Sequence, residues 1–315
     1  MARGNNVWYN GKILPVEQAK ISSFTHGLHY GVGAFEGIRA YTQTAGGGAI
    51  FRLREHLVRF DESMRILGFP ISYSVDEMIR ACVETCRANE FEECYVRPIA
   101  FTADGPLGVN PGKTPPVDVA VLNWEWGNYL GDKGVNEGTK LRVSSFIRPH
   151  VNSLMTKGKI TGHYVNGVLA KREAIEAGAD EALMLDAEGY LTEGTGENLF
   201  LVRDGVIKTT PLTSILNGIT RQSVLTHLRA QGYTILEQRF TRDELWCADE
   251  VFLTGTAAEI TPVREIDSRL IGDGGRGPNA GKPGPITAKL KSDYAALVRG
   301  ELKPEYARNW LTSIK

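Results

Sequence analysis

The sequence predicts a mixed α/β (α+β) protein in two domains, and three features point to that class. Its 315 residues exceed what one small domain needs, and 42% hydrophobic with 23% charged residues suffices for full cores. Short runs rich in β-branched and aromatic residues alternate with segments whose apolar residues recur at helical spacing. The stretch EWGNYLGDKGVNEG, residues 125–138, is rich in glycine and polar residues and reads as a linker. The expected division is an α/β domain over 1–124, the linker over 125–138 and a larger domain over 139–315.

In chain order, NVWYNGKILP reads as a hairpin around Asn10-Gly11, a pair that accepts the positive φ of a two-residue turn. EGIRAYTQTAGGGAIFRL reads as a second hairpin with a glycine tip. Leu57, Phe60, Met64 and Leu67 then recur at helical spacing. Ser74 and Glu77 form a capping box that opens another helix, turning Met78, Cys82 and Cys86 inward. CYVRPIAF and VDVAVLNW are strands by β-branched and aromatic content. Beyond the linker, KLRVSSFI reads as a strand and VNGVLAKREAIEAG as a helix ending at Gly178. EALMLDAEGYLTEG gives two strands about a turn, and NLFLVRDGVIKTT a hairpin turning at Asp204-Gly205. GITRQSVLTHLRAQG is a helix closed by a glycine, and Thr241 to Glu244 cap a short one. EVFLTGTAAEITPV runs strand, tight loop and onward, and residues 271–285 form a long Gly/Pro loop expected to be mobile.

Composition excludes several function classes. Lys plus Arg (36) nearly cancels Asp plus Glu (37), so the chain lacks the electrostatic footprint of a nucleic-acid binder. It has no 18-residue apolar segment and no apolar signal-peptide core near its start, and a cytoplasmic location is expected. Four cysteines make no disulfide framework in a chain this long. CVETC lacks the C-x-x-C spacing of zinc sites, so Cys82 and Cys86 read as small buried hydrophobes and no metal is expected. His26 and His29, in HGLHYG, read as packed or hydrogen-bonded histidines.

The chemistry-bearing stretch is NSLMTKGKITGHYVNG, residues 152–167, with Lys157 and Lys159 two apart. On a solvated strand neither lysine matters, whereas a desolvated amine facing a pocket is a nucleophile toward carbonyls. Residue types alone leave both readings, and both lysines, open. Gly218-Ile219-Thr220 opens a predicted helix, and Gly255-Thr256-Ala257 makes a tight turn after a buried strand. Each could offer backbone N–H groups to an anion, though Thr220 serves equally as a plain helix cap. The Walker and dinucleotide fingerprints are missing, so a phosphate held there belongs to something smaller than a nucleotide. A lysine amine, a phosphate cradle and a carboxylate are the parts that hold pyridoxal phosphate. A glycoside hydrolase would want the carboxylates but neither the lysine nor the loops.

EGTGENLF (193–200) followed by IKTTPLTSILNGITR (207–221) resembles the long signature of the class IV, fold-type IV pyridoxal phosphate aminotransferases. HGLHYGVGAFEGIRAY, YVRPIAF, LGVNP and TGTAAEITPV further resemble branched-chain amino-acid aminotransferases, and the likeness covers nearly the whole chain. It implies two α/β domains with the active site at their interface, the second domain binding pyridoxal 5'-phosphate. It also implies transamination of leucine, isoleucine and valine with 2-oxoglutarate, through a Schiff base on Lys159. Glu193 would pair with the pyridine nitrogen and Tyr164 would reach the ring hydroxyl. Arg59, Ile219, Thr220 and Thr256 would hold the phosphate. By spacing alone, Arg59 would sit on a solvated helix face.

For the substrate, the resemblance implies that Tyr95, with the backbone at Thr256 and Ala257, holds the α-carboxylate. Phe35, Trp126, Tyr129 and Tyr164 would form the apolar pocket, with Gly37 leaving room. Arg97, with Tyr30 and Tyr129, would receive glutamate's distal carboxylate. Tyr30 and Val109 would come from a partner subunit, which makes a homodimer the smallest assembly. The rivals of the same fold are a D-amino-acid aminotransferase, an (R)-selective amine aminotransferase and aminodeoxychorismate lyase. YVRPIA, GVNP and FEGIRAY favour the branched-chain type. The chain departs from the family in its long GRGPNAGKPGPIT loop and in KGKITGHY, which keeps Lys, Gly and Tyr in register; Lys157 has no assigned role.

Overall fold

The computed structural model describes residues 2–127, 134 and 137–315. The chain divides into two compact units. One takes residues up to Gly127, Gly158–His163 and Ala296–Lys315, and the other takes the rest. Residues 296–315, which the linear reading assigns to the segment 139–315, thus lie with the first unit.

The first unit is built on one antiparallel sheet. Its strands are β1 (Asn6–Tyr9), β2 (Lys12–Pro15), β3 (Gly33–Phe35), β4 (Ile38–Thr42), β5 (Gly48–Phe51), β6 (Cys94–Thr102), β7 (Val117–Trp124) and the last strand of the chain, β17 (Leu311–Ser313). They run in the order β17-β5-β4-β6-β7-β1-β2, with β3 beside β4 on the long β6. The β1–β2 turn holds Asn10 at φ 47° and Gly11 at φ 91°, the left-handed conformations that the sequence predicts there. Three helices accompany the sheet, α1 (His26–Tyr30), α2 (Leu53–Ile66) and α3 (Val75–Ala88). Leu57, Phe60 and Met64 of α2 share one core with Met78, Cys82 and Cys86 of α3 and with Val96, Val119 and Val121 of the sheet. The Ser74–Glu77 capping box forms as the sequence indicates, closed by Glu77 N–H to Ser74 Oγ at 3.3 Å and Ser74 N–H to Glu77 Oε2 at 2.7 Å. Cys86 and Cys94 are buried with their sulfurs 3.8 Å apart.

The second unit carries β8 (Thr139–Val143), β9 (Glu181–Leu185), β10 (Leu191–Gly194), β11 (Asn198–Arg203), β12 (Val206–Thr209), β13 (Ile235–Glu237), β14 (Glu250–Gly255), β15 (Glu259–Ile266) and β16 (Arg269–Leu270). Pairing runs β10-β9-β8-β15-β14-β11, and β11 pairs back onto β10, so these strands close into a ring. Parallel pairs (β8 with β9 and with β15) sit among antiparallel ones. Leu141, Val143, Leu183, Leu199, Leu201, Val251, Leu253 and Val263 form a shared core. With a side-chain period of two, Asn198, Phe200, Phe252 and Thr254 face the other way. The rings of Phe200 and Phe252 stack there at 4.9 Å. Helices α4 (Tyr164–Glu176), α5 (Ile219–Ala230) and α6 (Arg242–Trp246) belong to this unit, and α7 (Pro285–Val298) carries the chain to Ala296, where the first unit resumes.

One strand is shorter than its sequence suggests. KLRVSSFI ends as a regular strand at Val143. Ser144 N–H still donates to Leu183 O at 2.9 Å, but Glu173 takes the Ser144 hydroxyl and, at 2.9 Å, the Ser145 N–H, and Phe146 N–H turns to Ser144 Oγ at 3.0 Å. The 271–285 loop is tied to itself, with Asn279 N–H on Asp273 Oδ2 at 2.8 Å and Gly281 N–H on Ile271 O at 2.8 Å. Among the described residues, no helix is long and apolar enough to cross a membrane.

Candidate functional site

In the first unit, the chemistry gathers on one face of α2. His56, Arg59 and Ser63 stand at helical spacing and are buried, so the solvated face that spacing alone suggests for Arg59 is wrong. The reason is Glu36, which lies between β3 and β4 and is fully buried. Arg59 grips it with two bonds, Nε to Oε1 at 2.7 Å and Nη2 to Oε2 at 2.9 Å, and His56 Nδ1 lies 2.6 Å from Oε2. Burial would raise the Glu36 carboxyl, but Arg59 and His56 override it and hold the group well below the usual carboxylate range. Burial pushes the His56 imidazole down, against the pull of Glu36. A neutral His56 with its proton on Nδ1 satisfies that contact. Breaking such a buried pair from one side costs about 3–5 kcal/mol.

Lys159 is pinned beside this cluster by its backbone. Its N–H donates to Ser63 Oγ at 2.9 Å, and its carbonyl accepts from Phe35 N–H at 3.0 Å. The Lys159 Nζ lies 5.0 Å from the centre of the Phe35 ring. Arg97 is surrounded by rings, 4.5 Å from Phe35 and 5.4 Å from each of Tyr95 and Trp124. Trp126 stacks on Tyr95 at 4.7 Å, and its carbonyl accepts from Arg39. Gly37 is buried, and a Cβ there would lie 1.9 Å from the Tyr95 hydroxyl, so glycine is what lets Tyr95 reach this spot. Tyr30 and Val109 are exposed. His26 ties their two segments together, stacking on Tyr30 at 4.7 Å and meeting Gly108 O at 2.8 Å. Tyr129 lies outside the described residues.

In the second unit, Glu193 is buried at the end of β10. A register shift between Leu191 and Gly194 takes it off the face that Leu191 occupies and sets it opposite Asn198. Asn198 Nδ2 donates to Glu193 at 2.9 Å and to Leu216 O at 3.0 Å, and Leu216 N–H reaches the same carboxylate at 3.2 Å. Arg148 forms an ion pair with it. Two residues beyond Leu216, Gly218 caps α5 without a side-chain bond, and a Cβ there would lie 2.0 Å from Asn198 Oδ1. Ile219 and Thr220 open that helix and are buried. Gly255-Thr256-Ala257 forms the β14–β15 turn, next to Thr254, whose buried hydroxyl has no hydrogen-bond partner among the described residues. Tyr164 begins α4. The Lys157 amine reaches Ile215 O at 3.4 Å; burial pushes its pKa down against the pull of Glu193.

Sequence reasoning assigned no role to Glu36, His56, Ser63 or Arg148. Glu36 begins EGIRAY, but a buried carboxylate is invisible until its cations are placed around it. The i, i+3, i+7 spacing of His56, Arg59 and Ser63 was the one available signal.

Comparison with known proteins gives a consistent result. The family model for amino-transferase class IV matches residues 33–266. The branched-chain-amino-acid aminotransferase of Pseudomonas aeruginosa is 46% identical over 313 residues, covering 99% of this chain and 98% of the relative. The crystal structure of the Escherichia coli branched-chain amino acid aminotransferase superposes with a TM-score of 0.94 at 39% identity, over 99% of this chain and 100% of that one. The branched-chain amino acid aminotransferase from Thermobaculum terrenum, solved in its PLP-bound holo-form, gives 0.90 at 33% identity, with 100% of both chains covered. With the family match and these full-length relatives coinciding, the chain belongs to the class IV aminotransferases, among the branched-chain-amino-acid aminotransferases.

Proposed function

We propose that this protein transaminates branched-chain L-amino acids with 2-oxoglutarate, using pyridoxal phosphate and the residues named above. Family membership supplies the reaction class, and the observation that carries the substrate reading is the ring-lined Arg97. Aromatic rings suit an apolar side chain, and a guanidinium among them suits a distal carboxylate, so one pocket serves leucine and glutamate in turn.

The residues fit the cofactor on features of this structure. Gly218 opens α5 without a side-chain cap bond and occupies a place that any Cβ would block, as a helix start that approaches a phosphate closely requires. The Thr254 hydroxyl, unpartnered among the described residues, marks a second polar spot at the turn of Thr256. Arg59, Ile219, Thr220 and Thr256 would hold the phosphate, Glu193 the ring nitrogen and Tyr164 the ring hydroxyl. When bound, pyridoxal phosphate supplies an electron sink for the carbon that loses its proton.

The chain's own part is positional and acid–base. Lys159 carries the cofactor through its amine, and once released that amine takes the α-proton from the substrate. Tyr95 and the backbone at Thr256 and Ala257 hold the α-carboxylate. Phe35, Trp126, Tyr129 and Tyr164 would form the apolar pocket, with Gly37 leaving room, as the resemblance implies. Arg97, with Tyr30 and Tyr129, takes the distal carboxylate of glutamate. A cytoplasmic location and a homodimer, with Tyr30 and Val109 contributed across subunits, belong to the same proposal. Exposed Phe24, Leu28, Tyr30, Leu107 and Val109 support it, since apolar surface of that kind marks interaction sites.

The test is the visible absorbance of the purified protein on adding L-leucine, D-alanine or (R)-1-phenylethylamine separately. Bleaching of a yellow chromophore by L-leucine alone is expected. Bleaching by either of the others overturns the substrate reading, and a protein that stays colourless with added pyridoxal phosphate overturns the role of Lys159.

A further inference from the structure

We infer that Ser63 is a positioning residue for the lysine that carries the cofactor, fixing the backbone from which the Lys159 amine reaches. The inference rests on the proposed role of Lys159 and adds a residue to which that reading gives no part.

Ser63 is fully buried on the inner face of α2, one turn beyond Arg59. Its hydroxyl donates to Arg59 O at 2.7 Å, the back-bond a serine makes inside a helix. That bond orients the hydroxyl proton and leaves the oxygen's lone pairs for another donor. The donor is Lys159 N–H at 2.9 Å. On its other side, the Lys159 carbonyl accepts from Phe35 N–H, and Ile160 bridges to Ala34. Thr161 Oγ1 then donates to Gly31 O at 2.7 Å, so the segment is tied down at successive residues.

A lysine side chain is long and flexible, and its reach is set by where its backbone stands. An amine that both carries a group and moves a proton must return to one place, and a misplacement of about 1 Å can cost on the order of 100-fold in rate. Arg59 and His56 spend their side chains on Glu36, whereas Ser63 bonds directly to the lysine backbone and also to the carbonyl of Arg59. One oxygen therefore links the residue proposed for the phosphate to the residue proposed for covalent attachment. Losing it should affect attachment more than non-covalent binding.

The experiment compares the full-length protein with Ser63→Ala and Ser63→Thr, each stripped of cofactor. Pyridoxal phosphate is added, attachment through the lysine amine with loss of water is fixed by borohydride at timed intervals, and the modified peptide is identified by mass. The affinity for pyridoxamine phosphate, which has no aldehyde to react with an amine, is measured alongside. For Ser63→Ala we expect attachment at Lys159 to slow about tenfold or more with pyridoxamine phosphate affinity unchanged within about twofold, and Ser63→Thr to restore the rate. Unchanged attachment in Ser63→Ala overturns the inference. So does an equal loss of both properties, which would mean a general structural role. Labelling of a lysine other than Lys159 in the parent protein overturns the reading on which the inference rests, a result separable from the other two.

Discussion

Burial drives the Glu197 carboxyl up to about 8, with Glu181 adding repulsion and Lys171 opposing it. The charged groups around it come from three elements. Lys171 of α4 bonds to Glu181 of β9 at 2.6 Å, Glu193 of β10 adds a second like charge, and the Gly196 N–H donates to Glu197 at 3.1 Å. An acid raised above its ordinary 4.5 keeps in the fold a proton that the unfolded chain releases. Stability therefore falls as pH rises from 4.5 to about 8, then levels off. Glu197→Gln removes that dependence, and near pH 8 it should stabilise the protein by roughly 1–3 kcal/mol while leaving it unchanged near pH 4.5. Urea unfolding midpoints of both proteins across that range check it, and parallel curves would contradict it. At this scale the sequence showed residue types but not surroundings. Gly37 read as room for substrate by resemblance, and the structure shows the Tyr95 hydroxyl as the group that needs the space. Arg59 read by spacing as solvated, and Glu36 draws it inside.

At the scale of elements, legibility followed locality. Both two-residue hairpins turn where Asn10-Gly11 and Asp204-Gly205 place positive φ, because adjacent residues decide a turn. The capping boxes at Ser74 and Thr241 formed for the same reason. Ser74→Ala removes the oxygen that accepts from Glu77 N–H, and it should cost about 1 kcal/mol of stability, seen as a lower thermal midpoint with activity unchanged. A loss no larger than that of a surface substitution on the far side of α3 would show that water replaces the cap. KLRVSSFI shows the limit of local reading. Its strand pattern continues to Ile147, but the Glu173 side chain takes the Ser144 hydroxyl and the Ser145 N–H and ends the strand early. That competitor lies 29 residues away in sequence.

At the scale of the whole molecule, the assembly is the open prediction. Val109 is 89% exposed and Leu28 64%, a high degree for large apolar residues in one neighbourhood. Light scattering on the purified protein should give at least twice the chain mass, and Val109→Asp should shift it toward the single chain at low concentration. A parent protein that runs as a single chain at micromolar concentration would refute the homodimer. By itself the sequence determined the mixed α/β class, the hairpins, strands and capped helices that local pattern marks and, through its signature stretches, the family, since each rests on local periodicity, turn chemistry or a fixed pattern of residues. The tertiary structure alone decided that β17 returns to pair with β5, that β10 and β11 close a ring, and that Glu36 and Ser63 stand behind Arg59 and Lys159. Those features join residues far apart along the chain, and what favours them is the burial of a shared core and the pairing of charges and hydrogen-bond groups withdrawn from water, which no single stretch of sequence records.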